Sequence, residues 1–242
     1  MQMRHFLKAG TLLTATLLVA TTFIIGSTTW AGQGRGNRQG ACIATQTANL
    51  QPISTDEHAG LIYMYEEEKL ARDVYTTLAS QYQTPIFNRI GASEQRHMDA
   101  VKRLLQAYQV TIPTGNTTGV FTDVKLAALY QQLVNRGEQS YIDALQVGAT
   151  IEDLDIYDLQ QYISGTENRA ILQVYQNLAK GSRNHIRAFT GQLQANNVEY
   201  TAQYLDQHTL DTILAAPKER GPVDAQGLTT SRQNRGKNMR RW

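Results

Sequence analysis

Four long stretches of this chain repeat apolar residues at alternating three- and four-residue intervals, and each sets an acid or an imidazole in the middle of its apolar stripe. That spacing predicts amphipathic helices with one buried face. The first follows Ser54 and Thr55, which with Glu57 make a capping-box start, and its stripe reads Leu61, Met64, Glu68, Ala71, Tyr75, Leu78, Tyr82. The second begins at Thr84-Pro85 and carries Phe87, Ile90, Glu94, His97, Val101, Leu104 and Tyr108. The third, about 139–163, aligns Leu145, Gly148, Glu152, Ile156, Leu159 and Ile163, with Asp155 three residues beyond Glu152. The fourth, about 167–195, aligns Ile171, Tyr175, Leu178, Ser182, His185, Phe189 and Gln192. Shorter helices are expected from Val124 to about Asn135, capped by Thr122, and from about Asp206 to Ala215. An all-α fold follows.

A carboxylate buried without a partner costs several kcal/mol, so Glu68, Glu94, His97, Glu152 and His185 on inward faces need one another, a cation, or a proton. Their order is informative. The first pair of long helices gives Glu68 and then Glu94 and His97, and the second pair gives Glu152 and then His185. Two helix pairs built alike suggest a duplicated hairpin closed into a four-helix bundle with short extra helices, in which these residues meet at mid-height. A Glu-x-x-His pair lets one helix offer two ligands to one cation. Each residue also has a plainer reading: a single histidine on an apolar face is commonly a hydrogen-bonded core residue, and Tyr75, Tyr108 and Tyr175 are expected in the core. Glu66 and Glu67, followed by Lys69 and Arg72, are expected on a solvated face with i, i+4 pairs. Glu152-Asp153-Leu154-Asp155 with Asp158 has the plainer reading of an exposed acidic turn, more so for Asp155 than for Glu152. The joint pattern favours a metal layer.

The ligand chemistry is bounded by composition. One cysteine, Cys42, allows neither an intramolecular disulfide nor a thiolate metal site. Oxygen and imidazole ligands suit Fe, Mn or Zn, and the carboxylate count favours iron or manganese. The net charge of +2 hides an uneven distribution, because residues 56–216 hold 12 basic against 19 acidic residues, or −7. An acidic body suits cations and argues against nucleic acid as a partner.

The basic residues collect at the ends. Residues 1–31 read as a secretory signal: Arg4 and Lys8, an uncharged run from Leu12 to Ile25, and Thr29-Trp30-Ala31 as a cleavage site after Ala31. The run is short for a membrane-spanning helix. Export to a periplasm, cell wall or medium is expected. Residues 32–54 and 217–242 are rich in Gly, Gln, Asn and Arg without apolar periodicity, and are expected to be a disordered linker and a basic disordered tail.

Glu68-Lys-Leu-Ala-Arg-Asp-Val-Tyr75 resembles the first-helix motif of rubrerythrin, and Ser93-Glu-Gln-Arg-His-Met-Asp-Ala100 resembles the Glu-x-x-His motif of ferritin-like proteins. Together with Gly148-Ala-Thr-Ile-Glu-Asp-Leu-Asp155 and Gly181-Ser-Arg-Asn-His-Ile-Arg-Ala-Phe189, the chain resembles the ferritin-like family catalogued as domain of unknown function 2202. The resemblance covers about 56–215. It implies a ferritin-like bundle in which Glu68 is a terminal ligand, Glu94 a bridge, His97 a terminal ligand, and Glu152 and His185 the ligands from the second pair. It implies two iron ions, or Mn or Zn in their place, with one ion as the other outcome. A complete di-iron set would have a second bridging Glu where this chain has Ser182, and Asp155 is the candidate replacement. The implied function is ferrous oxidation or peroxide and oxygen detoxification, with metal ions and small oxidants as partners. Since no rubredoxin-like four-cysteine module is present, a peroxidase would need an external electron donor. The alternative is a non-catalytic interaction module of the cell envelope whose polar layer is a relic ionic network.

Overall fold

The computed structural model describes residues 50–230 apart from position 114. The expected signal peptide, residues 32–49 of the expected linker and residues 231–242 of the expected tail lie outside the described residues. The described part is all-α, with six helices: α1 Thr55–Tyr82, α2 Pro85–Ala107, α3 Val124–Gly137, α4 Tyr141–Ser164, α5 Arg169–Ala195 and α6 Gln207–Ala215. No helix among the described residues is long and apolar enough to cross a membrane.

Helix starts follow local side-chain chemistry. Ser54 caps α1 in a reciprocal capping box with Glu57, and Pro85 occupies the first turn of α2. The cap of α3 is Asp123 rather than Thr122: its carboxylate accepts from the Lys125 and Leu126 amides, while the Thr122 hydroxyl donates to the Pro113 carbonyl. Ser140, Asn168 and Asp206 cap α4, α5 and α6.

The four long helices pack as two close pairs, α1 with α2 and α4 with α5, joined along α2–α5 and α1–α4. Their registers agree. One apolar cluster collects Tyr75 and Leu78 of α1, Phe87 and Ile90 of α2, Leu145 of α4, and Phe189 and Leu193 of α5. A second collects Leu61 and Met64 of α1, Met98 and Val101 of α2, Leu159 of α4, and Ile171 and Leu178 of α5. In every long helix, the chemistry-bearing residue of the stripe falls between its two apolar blocks. The interior is therefore two apolar compartments separated by one polar layer.

The outer face of α1 departs from the sequence expectation. Glu66, Glu67, Lys69, Arg72 and Asp73 are buried, not solvated. The connection from α2 to α3 lies over Glu66, Lys69, Arg72 and Asp73, while Glu67 turns toward Asp158 of α4. Glu66 accepts from the Thr122 and Asp123 amides at 2.7 and 2.8 Å, and Lys69 donates to Asp73 at 2.6 Å and to the Thr117 carbonyl at 2.8 Å. The Lys69 ammonium sits 4.4 Å from the centre of the Phe121 ring. Glu66, Lys69 and Asp73 thereby satisfy loop backbone groups that burial would otherwise leave unpaired. Asp153 does the same on α4: it is fully buried and accepts from the Gln203, Tyr204 and Leu205 amides and the Tyr200 hydroxyl.

Residues 217–230, expected as part of a disordered tail, instead form an ordered strap along α5. Glu219 pairs with Arg183 through two contacts of 2.7 and 2.6 Å, Lys180 donates to the Gly221 carbonyl at 2.6 Å, and Asn177 exchanges hydrogen bonds with the Val223 backbone. The strap turns back at Gly227, whose φ of 77° is left-handed, to form a bridge between Val223 and Thr229. Polar side chains of α5 hold it, which is why apolar periodicity gave no sign of it.

Candidate metal centre

The polar layer is built from one residue on α1, two on α2, one on α4 and one on α5. The stripe spacing turns each inward, and the pairing of apolar blocks above and below sets them at one height. Glu68, Glu94 and Glu152 are about as buried as the core leucines, at 1, 2 and 2% exposure. His97 and His185 keep side-chain exposures of 13 and 11%.

The geometry is close to two-fold. Nδ1 of His97 lies 2.8 Å from Glu94 Oε2 and 3.3 Å from Glu68 Oε2. Nδ1 of His185 lies 2.8 Å from Glu94 Oε1 and 3.3 Å from Glu152 Oε2. Glu94 thus gives one oxygen to each histidine. Two sets of three potential ligands result, Glu68–Glu94–His97 and Glu94–Glu152–His185, and in each the ligand atoms lie within 4.8 Å of one another. The two imidazoles stack with ring centres 5.5 Å apart.

Several atoms of the layer lack a protein partner. Glu68 Oε1, Glu94 Oε1 and His185 Nδ1 are buried without a hydrogen bond. The last two are only 2.8 Å apart, so they converge without the alignment of a donor facing an acceptor. Buried polar atoms are rarely left so, and convergent lone-pair donors are what a cation requires. The donor set, three carboxylates and two imidazoles without thiolate, fits divalent iron, manganese or zinc.

Without a metal, charge in the layer is balanced by protons. Burial raises Glu68 to about 7, against the opposing pull of His97. Burial and the Glu94 charge raise Glu152, while His185 and Tyr75 act the other way. Burial would raise Glu94 too, but His185 and His97 hold it well below the usual carboxylate range. Burial disfavours the imidazolium of His185, yet Glu94 and Glu152 lift it to about 10, and Glu68 and Glu94 lift His97 well above its ordinary value.

Asp155 stands outside both three-ligand sets. Its Oδ2 accepts from the Ser182 hydroxyl, and its buried Oδ1 has no partner. Burial, then the charges of Glu68 and Glu152, raise its carboxyl well above the ordinary value. Ser182 thus orients an acid on the neighbouring helix from the place where the α2 pattern has Glu94.

Two kinds of supporting residue escaped the sequence reading. Tyr75, expected simply as core, donates to Glu152 at 2.6 Å and fixes that carboxylate. Gly181 faces His97, and a Cβ there would stand 2.4 Å from the ring. The signal was present, since Gly181 is one helical turn before His185 and shares its face. Only the packing of α2 against α5 shows that His97 occupies the space.

Relatives place the chain without assigning chemistry. It is 52% identical over 172 residues to the protein named Uncharacterized protein MJ0754 of Methanocaldococcus jannaschii, covering 71% of this chain and 93% of that one. The crystal structure titled hypothetical protein MJ0754, from Methanococcus jannaschii, matches with a TM-score of 0.70 and 50% identity, covering 71% of this chain and 98% of that one. Residues 57–217, which span the four long helices and the whole polar layer, match the family described as Uncharacterized protein domain (DUF2202), and the chain belongs to that family.

Proposed function

We propose that this protein is a ferritin-like four-helix bundle holding a dinuclear carboxylate–histidine metal centre, used in ferrous oxidation or in peroxide and oxygen detoxification. The observation that carries the reading is the sharing of Glu94, whose two oxygens each approach a different histidine at 2.8 Å with a further carboxylate at 3.3 Å from each. Glu68 and His97 would hold one cation, Glu152 and His185 the other, and Glu94 would join them. Asp155 would supply a further carboxylate where Ser182 leaves no bridging acid. A bound iron or manganese pair would supply the one-electron steps that no side chain in this layer provides.

The chain's own residues have definable parts. Glu94 sets the spacing of the two ligand sets. Tyr75 keeps Glu152 in one orientation through its 2.6 Å hydrogen bond, and its phenol keeps its proton because burial and then the Glu152 charge raise its pKa. The apolar clusters on either side exclude water from the carboxylates. Both histidines must lose their protons to become ligands, so cation binding releases protons.

A second reading, an ionic layer that serves only structure, draws on the same contacts: two imidazoliums among three carboxylates are nearly neutral in sum. It leaves Glu68 Oε1 and Asp155 Oδ1 unexplained. Elemental analysis and anaerobic Fe(II) titration decide between them. The metal reading expects about two Fe or Mn per chain, one after His97→Ala and none after Glu94→Ala. Absence of binding, with unchanged thermal stability on adding Fe(II), Mn(II) or Zn(II), overturns it. Export is a separate part of the proposal, supported by residues 1–31, and a mature N-terminus at Gly32 in an envelope or medium fraction tests it.

A further inference from the structure

The bundle body is acidic, yet one groove on it is lined by cations. This groove, of about 1200 Å³, runs between α2 and α5 and is closed at one side by the start of the strap. Arg89, Arg96 and Lys218 line it, together with His97 and His185 from the polar layer. Arg89, Ser93, Arg96 and Ala100 follow the 4,3,4 spacing of one helix face, so the two guanidinium groups stand on the same side of α2.

These charges are unspent. Among the described residues, Arg89, Arg96 and Lys218 have no acidic partner within ion-pair distance; Arg96 donates only to the Ala92 carbonyl of its own helix, at 2.8 Å. The acid that lines the groove, Glu219, is engaged by Arg183 at 2.6 Å and by Arg187 at 3.4 Å. Ile86, Ile90, Leu178 and Ala188 form the apolar part of the wall, and Ser93, Asn177, Asn184 and Gln192 its neutral polar part.

A concave, mainly apolar groove with a few unpaired cations on its lining has the character of a small-molecule site, and arginines favour planar or tetrahedral oxyanions. We infer that the α2–α5 groove binds an organic oxyanion, a carboxylate or phosphate carried on an apolar body, at the outer edge of His97 and His185. Concavity favours a small molecule over the flat face of a protein. The inference stands on the groove alone and does not need the metal reading.

Phenyl phosphate and benzoate are suitable probes, titrated calorimetrically at low ionic strength into the purified protein after metal removal by chelation. One saturable site per chain is expected for each, with inorganic phosphate and acetate about tenfold weaker or more because they lack the apolar body. Arg89→Glu with Arg96→Glu should weaken phenyl phosphate by about tenfold or more, and raised salt should weaken it further. Lys102→Glu with Arg103→Glu, on the same helix but outside the groove, should leave it unchanged. If the first double variant loses its helical signal, Lys218→Glu replaces it, with a loss of about threefold expected from one exposed charge. No saturable binding, equal loss in the two double variants, or inorganic phosphate binding as tightly as phenyl phosphate overturns the inference.

Discussion

Replacing Gly181 by alanine separates the two halves of the centre with one methyl group. The added Cβ would lie 2.4 Å from His97 Cε1 and 2.5 Å from Nε2, about 1 Å inside ordinary contact. The ring must yield, since the alternative is to part α2 from α5. Moving it by that amount breaks the 2.8 and 3.3 Å approaches of Nδ1 to Glu94 and Glu68. His185 and Glu152 are untouched. For the metal-free chain, overpacking costs about 1–3 kcal/mol, while exchanging glycine for alanine inside a helix returns about 1 kcal/mol. The net destabilisation is therefore about 0–2 kcal/mol, small enough for the variant to fold. On the proposed dinuclear reading, the metal-linked effect is larger. At a hundredfold excess of free cation over its Kd, each site adds about 2.7 kcal/mol, and the variant should keep one such increment of two. Anaerobic Fe(II) titration followed by thermal melts in the presence and absence of metal reads both quantities. Two equivalents bound with the wild-type melting increment would refute the argument that His97 has no room to move.

Other perturbations probe the layer and its supports. Glu94→Leu should abolish metal-linked stabilisation while leaving the metal-free protein folded, because His97 and His185 each retain one carboxylate; loss of folding in calorimetry would contradict this. In the metal-free chain, stability should fall as pH rises above 4.5, the ordinary carboxylate value below which the depressed Glu94 carboxyl acts in the opposite sense. Glu68, raised from 4.5 to about 7, holds more protons folded than unfolded across that interval, and the contribution of His185, complete below 6.5, is lost as pH passes about 10. Saturating divalent cation should reverse that slope near neutrality, since ligation favours the deprotonated side chains, and a pH series of melts shows either sign directly. Lys69→Met should destabilise by about 1–3 kcal/mol, because it releases the Thr117 carbonyl and takes one partner from the buried Asp73 carboxylate, which keeps Arg72 and the Gly119 amide. Faster proteolysis within 108–123 should accompany it, as the connection loses a principal anchor.

The pattern of the long helices was legible because an amphipathic stripe is a local property: residues three and four apart share a face whatever the helix meets. Glu68, Glu94, His97, Glu152 and His185 could be picked out for the same reason, as polar members of apolar stripes. The outer faces were not legible. Glu66, Lys69, Arg72 and Asp153 look solvated beside their helical neighbours, and only the passage of distant loops over them makes them buried anchors. The strap at 217–230 is hidden from the sequence on the same ground, because its partners are polar side chains forty or so residues away on α5.

The sequence by itself determined that this chain forms long helices with ionisable residues turned inward, since periodicity and capping act within a few residues. Tertiary structure alone decided how those residues divide. It assigned one oxygen of Glu94 to each histidine, gave Asp155 to Ser182 instead of either ligand set, put Tyr75 on Glu152, and made Gly181 the clearance for His97. These relations depend on the axial register of one helix against another. A shift of a single turn, about 5.4 Å, would preserve every stripe and destroy every one of them.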